Sequence, residues 1–278
     1  MSMRSGTSRE NLVFDVGLNR GQDTANYLAK GFNVVAVEAN PKLVEFCSRR
    51  FSNEIRIGRL AILEGAIVRE GMCDVTNDTV RFYTNGNDAW GTVISSSTIE
   101  YGARTDACEY VDVPILDIED AYDQYGIPFY LKTDIEGADI VCLEALRNKK
   151  RRPAYVSMES DIDSYRQVAY EINLLESLGY DAFQVINQKD LAQIISPDSI
   201  LEYGGSGDFG PWLPADGWRD RRHTLRTHRE LSLWHKLFSR HGILRETPLQ
   251  QPLTSILSRV RGFTIPSWHD THARHRGV

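Results

Sequence analysis

The sequence predicts an α/β fold built on a doubly wound, mostly parallel sheet. Three observations predict it: short apolar strands alternate with helical patterns, acidic residues close several of those strands, and glycine-bearing turns follow. The first unit is the clearest. Leu12 to Val16 reads as a strand running into Asp15-Val-Gly17-Leu-Asn19-Arg-Gly21, a helix follows from about Gly21 to Lys30 with Gly31 as its stop, and Val34 to Glu38 is the second strand. Asp15 and Glu38 stand 23 positions apart, about one strand, turn, helix and strand. Both strand ends therefore open on one edge of a parallel sheet, where α/β folds bind ligands.

The remaining elements follow in order. Asn40-Pro41 supplies an N-cap and a first-turn proline for a helix through Arg50, and Ala61 to Val68 is the third strand. Between Gly71 and Val113 the helical alternation breaks down into a β insertion, with strands at Thr79 to Tyr83 and Tyr110 to Val113. Its polar loop, Asn85 to Thr92 and then Ser95 to Thr98, is too long and too rich in Gly and Asn for mere connection. Trp90 in that loop either covers a ligand or packs on a satellite contact. A strand over Phe129 to Lys132, a helix to about Leu146, a strand over Ala154 to Met158 ending in Glu159-Ser-Asp161, a helix from Ser164 to Leu178 and a strand over Phe183 to Ile186 complete the core. Six parallel strands fit; the pattern does not place a seventh. The expected organisation is a disordered leader at 1–10, a core at 11–200 and an extension at 201–278, in which Gly204 to Pro214 reads as a flexible, aromatic-bearing loop and Arg221 to Arg240 as a helix.

Composition narrows the class. At 278 residues, 41% hydrophobic and 25% charged, the chain can bury a full core. No apolar run approaches the ~20 residues that span a bilayer, and Met1 to Glu10 has no hydrophobic centre, so neither a membrane segment nor a signal peptide is expected. Cys47, Cys73, Cys108 and Cys142 match neither a zinc pattern nor a disulfide scaffold, which points to a reduced, cytoplasmic setting. Charge is uneven: residues 217–278 carry +8 and all seven histidines, against −14 for residues 1–216. Either an anionic partner or a basic module packed on an acidic core accounts for this.

Glycines 17 and 21 allow a tight turn and a close approach of backbone to ligand, and Asn19 tolerates unusual φ/ψ. Glu38 can accept bonds from both hydroxyls of a ribose. The dinucleotide fingerprint is absent, because this loop reads Gly17-x-Asn19-x-Gly21 behind an acid that would repel a pyrophosphate and attract a cationic ligand. A second motif, Lys132-Thr-Asp134-Ile-Glu136-Gly137, crowds three charged residues at a strand end. Lys132 and Asp134, two apart, project from one strand face. The bland reading is an ion pair and a helix start; the functional one is a catalytic cluster.

Together the Asp15-x-Gly17-x-Asn19-x-Gly21 loop, the helix start Ile115-Leu116-Asp117 and the Lys132-x-Asp134-x-Glu136-Gly137 motif resemble the FkbM family of methyltransferases, over roughly residues 11 to 187. The resemblance implies a Rossmann-like, seven-stranded class I methyltransferase fold, S-adenosylmethionine as donor and O-methylation of a hydroxyl on a sugar, glycan or related metabolite. It implies a cofactor site of Asp15, Gly17, Asn19, Gly21, Glu38, Ala39, Ala66 and Asp134; the histidines, most tryptophans and the positive charge gathered in the 201–278 extension put that extension on the acceptor side. Asp134, Glu136 and Lys132 are the expected catalytic group, and His269 and His272 the alternative source of a base. Mg²⁺ on the carboxylates is an option ranked below a metal-free site. The expected partner is a small hydroxylated acceptor, an anionic one suiting the basic tail; a homodimer is compatible and nucleic acid is disfavoured by a net charge of −6. Two other readings stay open, an RNA methyltransferase and a catalytically silent cofactor-binding subunit.

Overall fold

A computed structural model of the 278-residue chain describes residues 9–69, 71, 73, 75–84, 91–93, 109–135, 137–161, 164–188, 199, 202, 205–238 and 269–278. Met1 to Ser8 of the expected leader, Trp90 with most of its loop, Cys108 and Glu136 lie outside the described residues.

The first half alternates as expected: β1 (Leu12–Val16), α1 (Gln22–Ala29), β2 (Asn33–Glu38), α2 (Pro41–Arg50), a short helix α3 (Ser52–Arg56) and β3 (Leu60–Glu64). Asn40 caps α2 by accepting the Lys42 amide at 3.1 Å, with Pro41 in its first turn. The third strand is shorter than the sequence suggested, because the chain turns at Gly65 (φ 151°) and Ala66 then bridges Ile115. A separate small antiparallel sheet fills the insertion: β4 (Val75–Thr76), β5 (Thr79–Thr84), β6 (Gly91–Thr92) and β7 (Glu109–Pro114). Asp117 caps α4 (Ile118–Tyr125), accepting the Glu119 amide at 2.8 Å. Then come β8 (Tyr130–Thr133), α5 (Asp139–Ala145), β9 (Tyr155–Ser160), α6 (Tyr165–Ser177), β10 (Tyr180–Asn187), α7 (Arg221–Phe238) and β11 (His269–His275).

Among the described residues the main sheet has seven strands in the order β10-β11-β9-β8-β1-β2-β3. Every pairing is parallel except those of β11, which runs antiparallel between β9 and β10. The seventh strand thus comes from the far end of the expected extension, so the boundary at 200 does not close the sheet. Alternate residues feed two cores. Phe14, Val35, Leu131, Val156 and Ala273 pack beneath α4, α5 and α6. On the opposite face Val13, Val34, Ala36, Tyr130 and Tyr155 pack against Tyr27 of α1 and Phe209.

Residues 205–213 contradict the expected flexible loop. Phe209 is fully buried, stacks on Tyr130 at 3.8 Å between ring centroids, and meets Tyr27 edge-on. The buried pair Lys30–Asp208 at 3.2 Å and the bond from Asn26 Nδ2 to the Gly207 carbonyl tie the segment to α1. It is a strap over the α1 face, held because burying aromatic area outweighs the entropy of ordering a short loop.

Candidate active site

The Gly17–Gly21 turn folds back onto β2. Gly17 and Leu18 both donate their amides to the Val37 carbonyl at 3.0 Å, and Asn19 takes the left-handed conformation (φ 52°) that this turn requires. That brings the Asn19 amide to Glu38 Oε2 and the Asn40 amide to Oε1, each at 2.8 Å. Burial pushes the Glu38 carboxyl up to about 6 while these amides pull it down. The Ala39 amide also bonds this carboxylate, which leaves about one of its roughly four lone-pair sites for a further donor.

A cleft of about 730 Å³, counting its part open to solvent, runs along this edge of the sheet. Glu38 and Asp134 both line it, on strands separated by β1, hence roughly 10 Å apart across two strand spacings. Ala39, Ala66 and Ile67 make the apolar part of its wall, and Phe82 and Val93 reach it from the small sheet. Gly17 and Asn19 complete the loop side. Such a cleft suits a nucleoside with a cationic tail, since it offers a carboxylate for sugar hydroxyls, an apolar slot for a base and a carboxylate for positive charge.

Behind Asp134 lies a buried charge cluster. Lys132 Nζ stands 3.1 Å from Asp23 Oδ2, 3.5 Å from Asp134 Oδ2 and 3.6 Å from Asp15 Oδ1. Burial alone would lower the Lys132 ammonium, but Asp23, Asp15 and Asp134 outweigh it and hold the charge well above the usual range. Asp15 is pushed up to about 6, chiefly by burial and further by Asp23 and Asp134, against Lys132 and the Thr24 hydroxyl that donates to it at 2.6 Å. Its Oδ1 is buried with no hydrogen-bond donor. Three carboxylates against one ammonium leave negative charge to be met by a cation.

The structure brings Gly17, Asn19, Glu38, Ala39, Ala66 and Asp134 to one cleft. Two residues expected there sit elsewhere. Asp15 is fully buried behind the wall, facing Lys132. Gly21 faces α2, where a Cβ would lie 2.4 Å from the Phe51 ring, so its role is packing. His269 and His272 are corrected as well: both are buried at 2% exposure inside β11, and burial pushes His272 down to about 3. They are sheet-interior residues because β11 is hydrogen-bonded along both edges, between β9 and β10, and its first five residues are buried. Sequence reasoning missed Asp23, Phe82 and Val93, since nothing in their local pattern marks a long-range contact. Among the described residues no group of three His, Cys, Asp or Glu is set to hold a metal ion.

Residues 15–182 match the family described as Methyltransferase FkbM domain. The chain belongs to the FkbM methyltransferase family. Similar solved structures include an FkbM methyltransferase from Methylobacillus flagellatus KT, at 17% identity and TM-score 0.38, covering 66% of this chain and 41% of that one. A S-adenosylmethionine-dependent methyltransferase from Geobacter sulfurreducens, solved with S-adenosyl-L-homocysteine, is 10% identical with TM-score 0.35, covering 96% and 85% of the two chains. Precorrin-6y C5,15-methyltransferase from Geobacter metallireducens GS-15 is 11% identical with TM-score 0.34, covering 64% and 69%. Likenesses at this level carry no inference about donor or acceptor. No curated protein matches the sequence. No helix among the described residues of this methyltransferase is long and apolar enough to cross a membrane.

Proposed function

We propose that this methyltransferase transfers a methyl group from S-adenosylmethionine to a hydroxyl of a small molecule, a sugar, glycan or related metabolite. The observation that carries the donor is the joint lining of one cleft by Glu38 and Asp134 with an apolar slot in the same wall. Glu38 would accept the ribose hydroxyls, Ala39, Ala66 and Phe82 would flank the base, and Asp134 would face the cationic end. S-adenosylmethionine supplies the methyl group activated as a sulfonium.

The chain's own contribution is positioning and proton handling. Asp134, 40% exposed at its side chain while Lys132 is buried, can orient an acceptor hydroxyl or the donor amine from the cleft floor. A carboxylate here can also take the hydroxyl proton as the oxygen bonds to carbon, which typically contributes ~10² to 10⁴-fold. Glu136 is the second candidate for that proton by sequence. Lys132 is a shared counter-ion for Asp15, Asp23 and Asp134, and the metal-free site remains our reading.

Two described cations of the basic tail engage the protein itself, against the RNA reading. Arg221 Nε pairs with Glu176 Oε2 at 3.1 Å and Arg274 lies over the Trp218 ring. A small acceptor in a cytoplasmic enzyme remains our reading. Incubating the protein with isotope-labelled S-adenosylmethionine and a metabolite extract tests it: a labelled hydroxylated metabolite is expected, while labelling of RNA alone, or binding without turnover, would favour the other two readings.

A further inference from the structure

The strand registers place an additional carboxyl beside the catalytic edge. Thr133 pairs with Met158 and Met158 with Thr271, while Glu159 pairs with Asp270. Asp134, Glu159 and Asp270 therefore form one row across the ends of β8, β9 and β11, on the sheet face that also carries Lys132. Asp270 is 6% exposed and hydrogen-bonds the Ser206 side chain of the strap. The Ser206 amide donates to Asp23 Oδ1 at 2.7 Å, and the other Asp23 oxygen holds Lys132 at 3.1 Å. Asp270, Ser206, Asp23 and Lys132 thus form an unbroken chain of contacts from the last strand, through the strap and α1, to the residue that pairs with Asp134.

The surroundings decide which form of Asp270 can do this. Facing it are Lys132 of β8 and Asp134 just beyond that strand, Asp23 of α1 and Glu159 of β9, with Ile186 beside it on β10. His272, two residues along its own strand, is held neutral by burial. Burial, and then Asp134, push the Asp270 carboxyl well above the usual range, Lys132 opposing. An ionised Asp270 would add a negative charge to a cluster in which Asp15, Asp23 and Asp134 already share one ammonium. A carboxylic acid kept neutral in this way serves as a hydrogen-bonding group.

We propose that Asp270 is a positioning residue of the methyl-transfer site, acting as a neutral carboxylic acid that fixes Ser206 and, through it, Asp23 and Lys132. The role rests on the methyl-transfer reading and extends it to the last strand. It also explains why polar residues occupy a buried strand: the tail locks the strap over α1 rather than supplying a histidine base.

The test compares the full-length protein with Asp270→Asn, which keeps a neutral hydrogen-bonding group, and Asp270→Ala, which does not. Titration calorimetry with S-adenosylmethionine should give an affinity within about threefold for Asp270→Asn and a loss of about tenfold or more for Asp270→Ala. Denaturation from pH 5 to 8 adds a readout independent of the donor. A buried acid that keeps its proton only in the fold stabilises below its unfolded pKa and loses that contribution as pH rises, so wild type should lose stability relative to Asp270→Asn across this range. Asp270→Asn binding as weakly as Asp270→Ala, Asp270→Ala binding like wild type, or parallel pH profiles for wild type and Asp270→Asn would each overturn the proposal. Wild type failing to bind S-adenosylmethionine would overturn it together with the donor reading, an outcome distinct from the other three.

Discussion

A Cβ on Gly17 would lie 2.0 Å from the backbone carbonyl oxygen of Asp134. The two loops that follow β1 and β8 touch backbone to backbone, and only glycine permits it. The Asp134 amide donates to the Val16 carbonyl at 2.9 Å, so neither loop can move away without breaking the ladder. Gly17 also has φ 95°, which other residues rarely adopt.

Gly17→Ala should therefore destabilise the fold itself, by about 2 kcal/mol or more, rather than only obstruct a ligand. Urea denaturation followed by circular dichroism checks this. An unchanged midpoint would show that the loops part freely.

Lys132→Met should be more damaging. It leaves Asp15, Asp23 and Asp134 in a buried site with no ammonium, and breaking a buried pair costs about 3 to 5 kcal/mol. The expected result is a large fall in the denaturation midpoint at pH 7, partly recovered in acid, where the carboxylates protonate. A fall independent of pH would point to lost packing instead.

Much of this architecture is legible in the sequence, and the exceptions have physical reasons. The Asp15 to Glu38 unit reads directly because β1 and β2 are apolar runs, with Asn40-Pro41 as a local helix signal. The Thr79–Thr84 strand alternates in burial, as a one-sided sheet should. Strand β11 has no such signature. Its His-Asp-Thr-His stretch is polar, and its satisfaction comes from far along the chain: the Thr271 hydroxyl bonds Ser160, 111 residues away, and His228 Nε2, 43 away. A strand stabilised by distant polar partners looks like an irregular tail. Gly21 misled for the opposite reason, since a glycine demanded by packing on Phe51 cannot be told by sequence from one demanded by a ligand.

Glu171 offers a test of the electrostatics away from the cleft. Burial pushes its carboxyl up to about 8, against a bond from Gln167 Nε2 at 2.7 Å. Because the folded value lies above the unfolded one of 4.5, its contribution is present below pH 4.5 and lost as pH rises towards 8. Glu171→Gln keeps the acceptor and removes the titration. Its melting temperature should rise relative to wild type between pH 5 and 8, and a constant difference would contradict the assignment.

Asp134→Asn preserves shape while removing charge. Lys132 keeps Asp15 and Asp23, so the fold should stand and affinity for S-adenosylmethionine should stay within about tenfold, ~1.4 kcal/mol. Methyl transfer should fall by ~10² or more. Full turnover in this variant would move proton removal to Glu136. Turnover abolished by a chelator and restored by Mg²⁺ would replace the metal-free site with a metal-assisted one.

The most direct measurement is calorimetric titration of S-adenosylmethionine into the wild-type protein and Glu38→Gln. Glutamine retains one acceptor oxygen and puts an NH2 where the other stood, so the ribose and one of the Asn19 and Asn40 amides lose an acceptor while the Val37 carbonyl still holds the Gly17 and Leu18 amides of the turn. Saturable one-to-one binding by wild type, weakened by about 1.5 to 3 kcal/mol in a folded Glu38→Gln, is the predicted result. Equal affinity in the two proteins, or no binding by wild type, would contradict the assignment of this cleft to the methyl donor.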